Sequence, residues 1–155
     1  MFFDIQKNSF LYFKNKLKPT YLATATKVVP AKSTVTRLTR NSKLFKAIIT
    51  AIHNKKGENI VSLDLKKIPE AVADFFIICE ANNSTQVKAI ADNIAHEVKD
   101  VIGEIPYKQE GHQALQWIIV DYITIVVHVF LSDNRKHYRL EEMWSDAPSL
   151  THEDA

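Results

Sequence analysis

The fold is decided by the stretch WIIVDYITIVVHVF, residues 117–130. Two β-branched runs meet at a short polar break from Asp121 to Thr124, and this pattern predicts a hairpin of two strands. In both runs consecutive residues are apolar, so both faces of each strand should be covered by other parts of the chain. We therefore expect the hairpin to lie in the middle of a sheet, with the rest of the chain packed against it.

The clearest helix signal lies upstream of the hairpin, between Asn83 and Gly103. Asn83 is a suitable N-cap, and Gln86 three residues later gives the spacing of a capping box. Apolar residues then recur at helical spacing, which predicts one buried stripe that ends before Gly103. The residues of the stripe are Val87, Ile90, Ala91, Ile94, Ala95, Val98 and Ile102.

The other elements follow from the same rules of periodicity and punctuation. A first helix should be capped by Asn41 or Ser42 and end at Gly57. Strands are predicted at residues 60–65, 74–80 and, more weakly, 104–109, with a turn at 110–111, a polar loop after residue 130 and a short helix at 140–144. The order α-β-β-α-β-β-β-α predicts a single compact α/β domain with a mixed β-sheet and packed helices.

The charge is distributed unevenly along the chain. Residues 1–57 hold twelve Lys and Arg against one acid, whereas residues 58–155 hold eight Lys and Arg against seventeen Asp and Glu. On this count the folded part is acidic, with a balance of −9, and the leader is basic. An acidic globule binds phosphate poorly but suits a basic protein surface.

Residues 1–40 show no sustained period and are expected to form a basic, disordered leader ahead of a domain at residues 41–147. Residues 148–155 are expected to form a tail. A mitochondrial-type presequence is the alternative interpretation of the leader, since such segments are basic, rich in hydroxyl groups and poor in acids. A secretory signal fits worse because the leader lacks an apolar core.

Several kinds of chemistry are disfavoured by the residues themselves. The three glycines are isolated, which argues against a nucleotide-binding loop. The six histidines are scattered and the chain has one cysteine, which argues against a metal site. A nucleophilic triad can be drawn from Cys79, His128 and Asp121, but Cys79 lies inside an apolar strand, where a thiolate is not stabilised. Asp121 and His128 stand on opposite arms of the hairpin and could face each other, although a hydrogen-bonded strand histidine is the simpler interpretation.

Bulky side chains are concentrated near the carboxyl end, where Tyr138, Leu140, Met143 and Trp144 lie among charged residues. They could close one edge of the core. They could also form an aromatic anchor surrounded by charges, which is the composition of a protein-binding patch. Trp117 is open to the same two interpretations.

Several ordered motifs of the chain resemble the ribosomal silencing factor family (RsfS, also called Iojap or YbeB), over residues 42–147. The motifs are ADFFII at 73–78, NSTQVKAIAD at 83–92, EG at 110–111, Trp117, DY at 121–122, HVF at 128–130 and RKHYRLEEMWSDA at 135–147. The chain departs from the family in its hairpin turn, which is usually Asp-Tyr-Gly-Asp and here continues with Ile123 and Thr124. Because the flexible glycine is lost, we expect a differently shaped turn. The basic leader has no counterpart in typical bacterial members.

The resemblance implies a non-catalytic factor with a nucleotidyltransferase-like fold that lacks the catalytic signature, and without cofactor or metal. Members bind the large ribosomal subunit through ribosomal protein L-fourteen and block joining of the small subunit, which represses translation under nutrient limitation. Organellar relatives assist large-subunit assembly, and homodimers occur in the family. For this chain it implies a cytoplasmic protein, or an organellar one if the leader is a presequence, with no membrane association and no direct sequence-specific nucleic acid binding.

The resemblance and the aromatic composition together give a candidate docking face. We expect the face to be lined by Trp117, His128, Tyr138, Leu140, Glu141 and Trp144. Asp121 and Arg135 are expected to support it.

Overall fold

The structure, a computed structural model, describes residues 38–153, of which residues 39–153 belong to one structural unit. The predicted leader, residues 1–40, lies outside the described residues except for its last three. In the described part the strands are β1 Glu58–Asp64, β2 Phe75–Ala81, β3 Lys108–Glu110, β4 Trp117–Asp121, β5 Ile125–Leu131 and β6 Ser149–His152. The helices of this part are α1 Lys43–Asn54, α2 Ser84–Ile102, α3 Ser132–Tyr138 and α4 Leu140–Met143.

One six-stranded mixed sheet runs through this unit in the order β3-β4-β5-β2-β1-β6. Strands β2 and β5 are parallel, and the other neighbouring pairs are antiparallel. The predicted hairpin is confirmed as β4 and β5, with Trp117 opposite Phe130 and Asp121 opposite Val126. Strand β5 is paired on both sides and buried from Ile125 to its penultimate residue, as its apolar sequence requires. The predicted α/β class with a mixed sheet is therefore confirmed.

Helices α1 and α2 pack against each other, and α2 contacts β2, β4 and β5. The predicted N-cap of α2 is confirmed, because the Asn83 side chain accepts a hydrogen bond from the Gln86 N–H at 2.8 Å. The capping box is not completed. The Gln86 side chain instead donates to the carbonyls of Lys55 and Lys56, which ties the start of α2 to the end of α1.

Helix α1 begins after Ser42, as predicted, but its end differs from the prediction. Lys56, and not Gly57, adopts the left-handed conformation, with φ of 56°. The Gly57 N–H donates to the Ile52 carbonyl and the Lys56 N–H to the His53 carbonyl, which is a Schellman arrangement. Gly57 is needed for space, since a Cβ there would lie 2.4 Å from Ile52 Cγ2.

Two elements near the carboxyl end were missed by the sequence analysis. The polar segment after Phe130 was predicted as a loop, but Ser132–Tyr138 forms α3. Residues 148–155 were predicted as a tail, yet Ser149–His152 forms β6, which pairs with β1 at the sheet edge. Neither segment has an apolar pattern that the sequence analysis could detect. Helix α3 is only seven residues long, and β6 is an edge strand whose side chains are mostly exposed.

The tip of the hairpin is held by backbone and side-chain hydrogen bonds around Ile123. Asp121 Oδ1 accepts from the Ile123 N–H at 2.7 Å, and the Thr124 N–H donates to the Tyr122 carbonyl at 2.8 Å. Ile123 has φ of 70°, a left-handed conformation that a β-branched residue rarely adopts. The sequence analysis did not predict that Ile123 itself adopts this conformation. The expected difference in shape between this turn and that of family members stays a prediction.

Candidate functional site

The sheet has one face toward α1 and α2 and an opposite face that carries the candidate site. Phe75 on β2 meets Phe45 of α1, with ring centroids 5.4 Å apart. Because side chains alternate along a strand, Phe76 points to the opposite face. The strand registers place His128, Phe130 and Trp117 on that same opposite face. Counting alternate residues along each strand could have separated the two faces, although hydrophobicity could not, because both faces are apolar.

Aromatic rings on this face form one continuous cluster. Trp117 stacks on Phe130 at 4.7 Å and contacts Tyr138 of α3 at 5.0 Å. On the other side of the cluster the ring of Phe76 meets that of Trp144 edge to face, with centroids 5.5 Å apart. His128 lies between the two halves, 4.7 Å from Phe76 and 5.9 Å from Trp117. We call the following set the aromatic cluster: Phe76, Trp117, His128, Phe130, Tyr138 and Trp144.

Inside the cluster, Trp117 is held by a hydrogen bond to His128. Its Nε1–H donates to His128 Nδ1 at 3.2 Å. His128 is fully buried, and burial lowers the pKa of its ring to about 3. The ring is therefore neutral near pH 7, and because Nδ1 accepts a hydrogen bond we assign its proton to Nε2. A buried neutral histidine thus fixes the orientation of a partly exposed indole.

The predicted site residues fall into an exposed group and a buried group. Trp117, Glu141 and Trp144 are partly exposed and can present surface to another molecule. The others are buried beneath or beside them, with exposed fractions below a tenth: His128, Tyr138, Leu140, Asp121 and Arg135. In this structure the second group can shape the surface but offers little of it to a partner.

Arg135 joins four elements through its guanidinium group. Its Nε and Nη2 both donate to Glu141 Oε1, while Nη1 donates to the Asn59 carbonyl at 2.7 Å and to Glu80 Oε2 at 3.3 Å. The side chains of Arg135 and Glu80 are only 10% and 12% exposed. Arg135 thus ties α3 and α4 to β1 and β2, and its predicted supporting role in docking stays a prediction. The sequence analysis missed Asn59 and Glu80, which are distant from Arg135 in the chain.

A depression of about 530 Å³ lies over this network. Its lining is almost entirely charged or polar: Asn59, Glu80, Arg135, Lys136, Arg139, Glu141 and Glu142. Pockets for small organic ligands are mostly apolar, so this lining is not typical of such a pocket.

Within residues 38–153 no group of three His, Cys, Asp or Glu side chains is placed to hold a metal ion. No helix in the same described part is both long and apolar enough to cross a bilayer.

The nucleophilic triad considered from the sequence is not assembled. Cys79 pairs in register with Val129, one residue away from the Ile78–His128 pair, so its side chain points to the sheet face opposite His128. Burial raises the pKa of its thiol to about 12. Asp121 lies on the same face as His128 but opposite Val126, two residues farther along β5, and it caps the turn at Ile123.

A sequence model of the family "Ribosomal silencing factor during starvation" (RsfS) matches residues 39–155, which is most of the chain and all of its described sheet. The chain belongs to the ribosomal silencing factor family. The RsfS protein of Halalkalibacterium halodurans is 42% identical over 113 residues, covering 71% of this chain and 92% of that protein. The RsfS protein of Bacillus subtilis is 41% identical over 105 residues, covering 68% and 87%.

Relatives of the RsfS family extend to organelles and to solved structures. A mouse protein named "Mitochondrial assembly of ribosomal large subunit protein 1" is 27% identical over 94 residues, covering 58% of this chain and 41% of that protein. A crystal structure of a Chromobacterium violaceum protein superimposes with a TM-score of 0.62 at 30% identity, covering 66% of this chain and 84% of that one. A Bacillus halodurans crystal structure gives the same TM-score at 34% identity, covering 71% and 98%.

Proposed function

We propose that this chain is a ribosomal silencing factor that binds the large ribosomal subunit through ribosomal protein L-fourteen and blocks joining of the small subunit. Translation is then repressed when nutrients are limiting. The observation that carries the proposal is the family match over residues 39–155. Silencing by steric exclusion needs a docking surface and no catalytic group, so the chain acts without cofactor or metal and is not an enzyme.

The docking surface is centred on the aromatic cluster. Trp117 and Trp144 are its anchors, because both indoles are partly exposed and both are backed by buried rings. Partly exposed aromatic side chains held in a fixed orientation lose little entropy on binding and are enriched among the residues that dominate interface energies. His128, Tyr138 and Leu140 contribute from beneath by fixing the shape of the surface.

Charge supports a basic protein as the partner. The unit from Thr39 onward holds thirteen Lys and Arg residues against seventeen Asp and Glu, a balance of −4. The sequence analysis placed the boundary after residue 57 and so counted the basic α1 with the leader, which overstated the acidity of the folded part. Glu141 and Glu142 precede Trp144 by three and two residues. They pair with Arg135 and Arg139 within the fold, and their exposed parts can attract Lys and Arg on the partner.

A role in large-subunit assembly is the second candidate function. It is favoured by the similarity to the mouse protein whose name states such a role. Both functions use the same docking surface, and homodimer formation is compatible with either. A cytoplasmic location accompanies silencing, and an organellar one follows if residues 1–40 act as a presequence.

A nucleotidyltransferase-like activity is the least supported alternative, and calorimetry with nucleotides tests it.

The proposal is tested by mixing purified large and small subunits with an excess of the protein and measuring subunit joining by sedimentation. Wild type should keep the subunits apart. Trp117→Ala and Trp144→Ala should each weaken binding to large subunits and to isolated ribosomal protein L-fourteen. Loss of about 2 kcal/mol per anchor corresponds to roughly 30-fold in Kd.

Tyr107→Ala is the matched control, because Tyr107 is an exposed aromatic side chain outside the cluster, 68% exposed. It should leave both measurements at the wild-type value. Thermal unfolding of all three variants separates loss of docking from loss of fold. Equal joining of subunits with and without the wild-type protein would refute silencing, and normal binding by folded Trp variants would refute the assigned surface.

A further inference from the structure

Helix α1 carries a lysine-rich outer surface. Its buried residues face the sheet and α2, and its exposed residues recur at helical spacing on the other side: Lys43, Lys46, Thr50 and Asn54. Two further exposed lysines, Lys55 and Lys56, follow directly at its carboxyl end. No Asp or Glu occurs between residues 38 and 57. We call the set Lys43, Lys46, Lys55 and Lys56 the α1 lysines.

The charge at the amino end of α1 is unfavourable for the helix, whereas Lys55 and Lys56 follow its carboxyl end, where cations are favourable. The amino end of a helix carries partial positive charge and favours acids, yet the first turn of α1 has none and holds Lys43 and Lys46. These two lysines are three residues apart and repel each other. In α2, by contrast, Lys88 pairs with Asp92 four residues later at 2.5 Å. An unfavourable placement of charge that no contact inside the fold compensates indicates that the charge serves an interaction with another molecule.

The α1 lysines are not neutralised by neighbours. Within residues 38–153 none of the four forms an ion pair. Glu97 on α2 contacts α1 through Asn54, and its Oε1 accepts hydrogen bonds from the side-chain amides of Asn54 and Asn93. Glu97 is therefore hydrogen-bonded to neutral amides, and the ammonium groups of the α1 lysines remain available to an anion.

The α1 lysines and the aromatic cluster lie on opposite sides of the sheet. Phe45 of α1 meets Phe75 on one face, and Phe76 meets Trp144 on the other. Charge is also unevenly distributed in the folded unit: residues 39–57 hold five Lys and Arg and no acid, whereas residues 58–155 hold eight Lys and Arg against seventeen Asp and Glu. A partner bound at the aromatic cluster leaves the α1 lysines free to contact a second molecule.

We propose that the α1 lysines bind the phosphate backbone of ribosomal RNA while the aromatic cluster is docked on protein. The inference rests on the proposed ribosomal function and adds a second contact to it. The fully exposed residues of the stripe are Lys, Thr and Asn, with Ile49 and His53 only partly exposed beside them, so the surface is poor in the aromatic and apolar groups that form the centre of a protein interface. Phosphate contacts need only ammonium, hydroxyl and amide groups. From Lys43 to Lys55 the helix extends about 18 Å, enough to span several phosphates.

The experiment uses the full-length chain and a fluorescently labelled 20-base-pair RNA duplex, titrated at several KCl concentrations. Lys43→Glu/Lys46→Glu should weaken binding at least 10-fold and reduce the slope of log K against log salt by about 1.4 to 1.8, since each phosphate contact contributes about 0.7 to 0.9. The fold should be retained, because the variant places acids in the first turn, where the helix favours them. Lys88→Glu/Lys99→Glu on α2 changes the net charge equally and should leave the salt slope unchanged.

Three outcomes would overturn this inference. They are equal salt slopes for wild type and the α1 variant, an equal loss in the α2 control, and binding of poly-glutamate as tightly as of the RNA. The last would indicate an acidic protein as the ligand of α1. Binding to isolated ribosomal protein L-fourteen should be the same for wild type and the α1 variant, so failure of this inference is separable from failure of the docking function.

Discussion

The indole N–H of Trp117 donates a hydrogen bond to Nδ1 of His128 across the two strands of the central hairpin, at 3.2 Å. The donor residue is partly exposed and the acceptor residue is fully buried. The proposed interface anchor is therefore oriented by a group that no partner can reach in this structure. Because the acceptor nitrogen must be unprotonated, the orientation of Trp117 depends on the neutral state of His128.

Acidification should destabilise the fold through His128. Its pKa is about 3 in the folded protein, against the ordinary 6.5 expected when unfolded, so the unfolded state binds the proton more readily. Stability should be unaffected above pH 6.5 and should fall as the pH drops from 6.5 toward 3, by about 1.4 kcal/mol per unit. Urea denaturation between pH 7 and 4, followed by tryptophan fluorescence, measures this dependence.

His128→Gln is the comparison variant, since glutamine does not titrate in this range. It should be less stable than wild type at pH 7 but lose less stability on acidification. His152 also has a lowered pKa, from burial and from the nearby charges of Arg40 and His53, and contributes in the same direction. The contribution of His128 is therefore the difference between the two profiles. Parallel profiles from pH 7 to 4 would contradict the assignment.

Ile123→Gly should stabilise the hairpin. Ile123 has φ of 70° and is 56% exposed, so it pays the cost of a left-handed conformation and gains little from burial. Removing the left-handed strain should stabilise the folded state by about 1–2 kcal/mol. The greater entropy of glycine in the unfolded chain offsets about 0.5–1 kcal/mol of this gain. A net gain of about 0.5–1 kcal/mol is expected in urea denaturation.

Ile123→Ala is the control for this substitution, because it removes the exposed apolar atoms but keeps the Cβ that causes the strain. It should not increase stability. An equal gain from alanine and glycine would mean that the exposed side chain, and not the backbone conformation, limits the stability of the turn.

Gly111→Ala should destabilise the protein far more than Gly103→Ala. Both glycines have positive φ, 93° and 75°. A Cβ on Gly111 would lie 1.9 Å from the Trp117 carbonyl oxygen, whereas a Cβ on Gly103 meets nothing within 4 Å. We expect a loss of about 3 kcal/mol or more at position 111, and about 1–2 kcal/mol at position 103. Thermal unfolding of the two variants distinguishes steric collision from conformational cost, and equal losses would show that the collision is relieved.

Strong local signals account for the parts of the fold that were predicted. The two β-branched runs separated by a polar break at Asp121 predicted the hairpin, and the agreement of an N-cap with an apolar stripe after Asn83 predicted α2. Helix α3 and strand β6 were missed since each depends on tertiary contacts. Strand β6 forms only because the edge of β1 is available to it, and nothing in the sequence of residues 149–152 indicates that edge.

The docking face stays a prediction, and the sequence could not show which of its residues reach the surface. Trp117, Trp144 and Glu141 were identified and are partly exposed. The expectation that both faces of the hairpin are covered agrees with the burial of His128. The sequence could not show that Tyr138 is buried, because that depends on which sheet face α3 covers. Pairwise contacts between distant segments, such as Phe76 with Trp144, leave no local pattern to detect.

Arg135→Lys should destabilise the fold and weaken docking together. The guanidinium of Arg135 forms its hydrogen bonds from three nitrogens, to Glu141, Glu80 and the Asn59 carbonyl. A lysine keeps the charge but not the planar fork, so at least one buried acceptor loses its partner, at a cost of about 1–3 kcal/mol. Glu141 should then be less ordered, and binding to ribosomal protein L-fourteen should weaken by more than the loss of stability explains.

Arg139→Lys is the matched control, since Arg139 pairs with Glu142 on the surface, where the two side chains are 64% and 62% exposed. An exposed pair contributes little, so this change should cost less than about 0.5 kcal/mol and leave docking unaltered. Urea denaturation gives the stability of both variants, and equilibrium binding at a temperature where both are fully folded gives their affinity. Equal effects from the two substitutions would mean that the buried network does not position Glu141, and the supporting role of Arg135 would be lost.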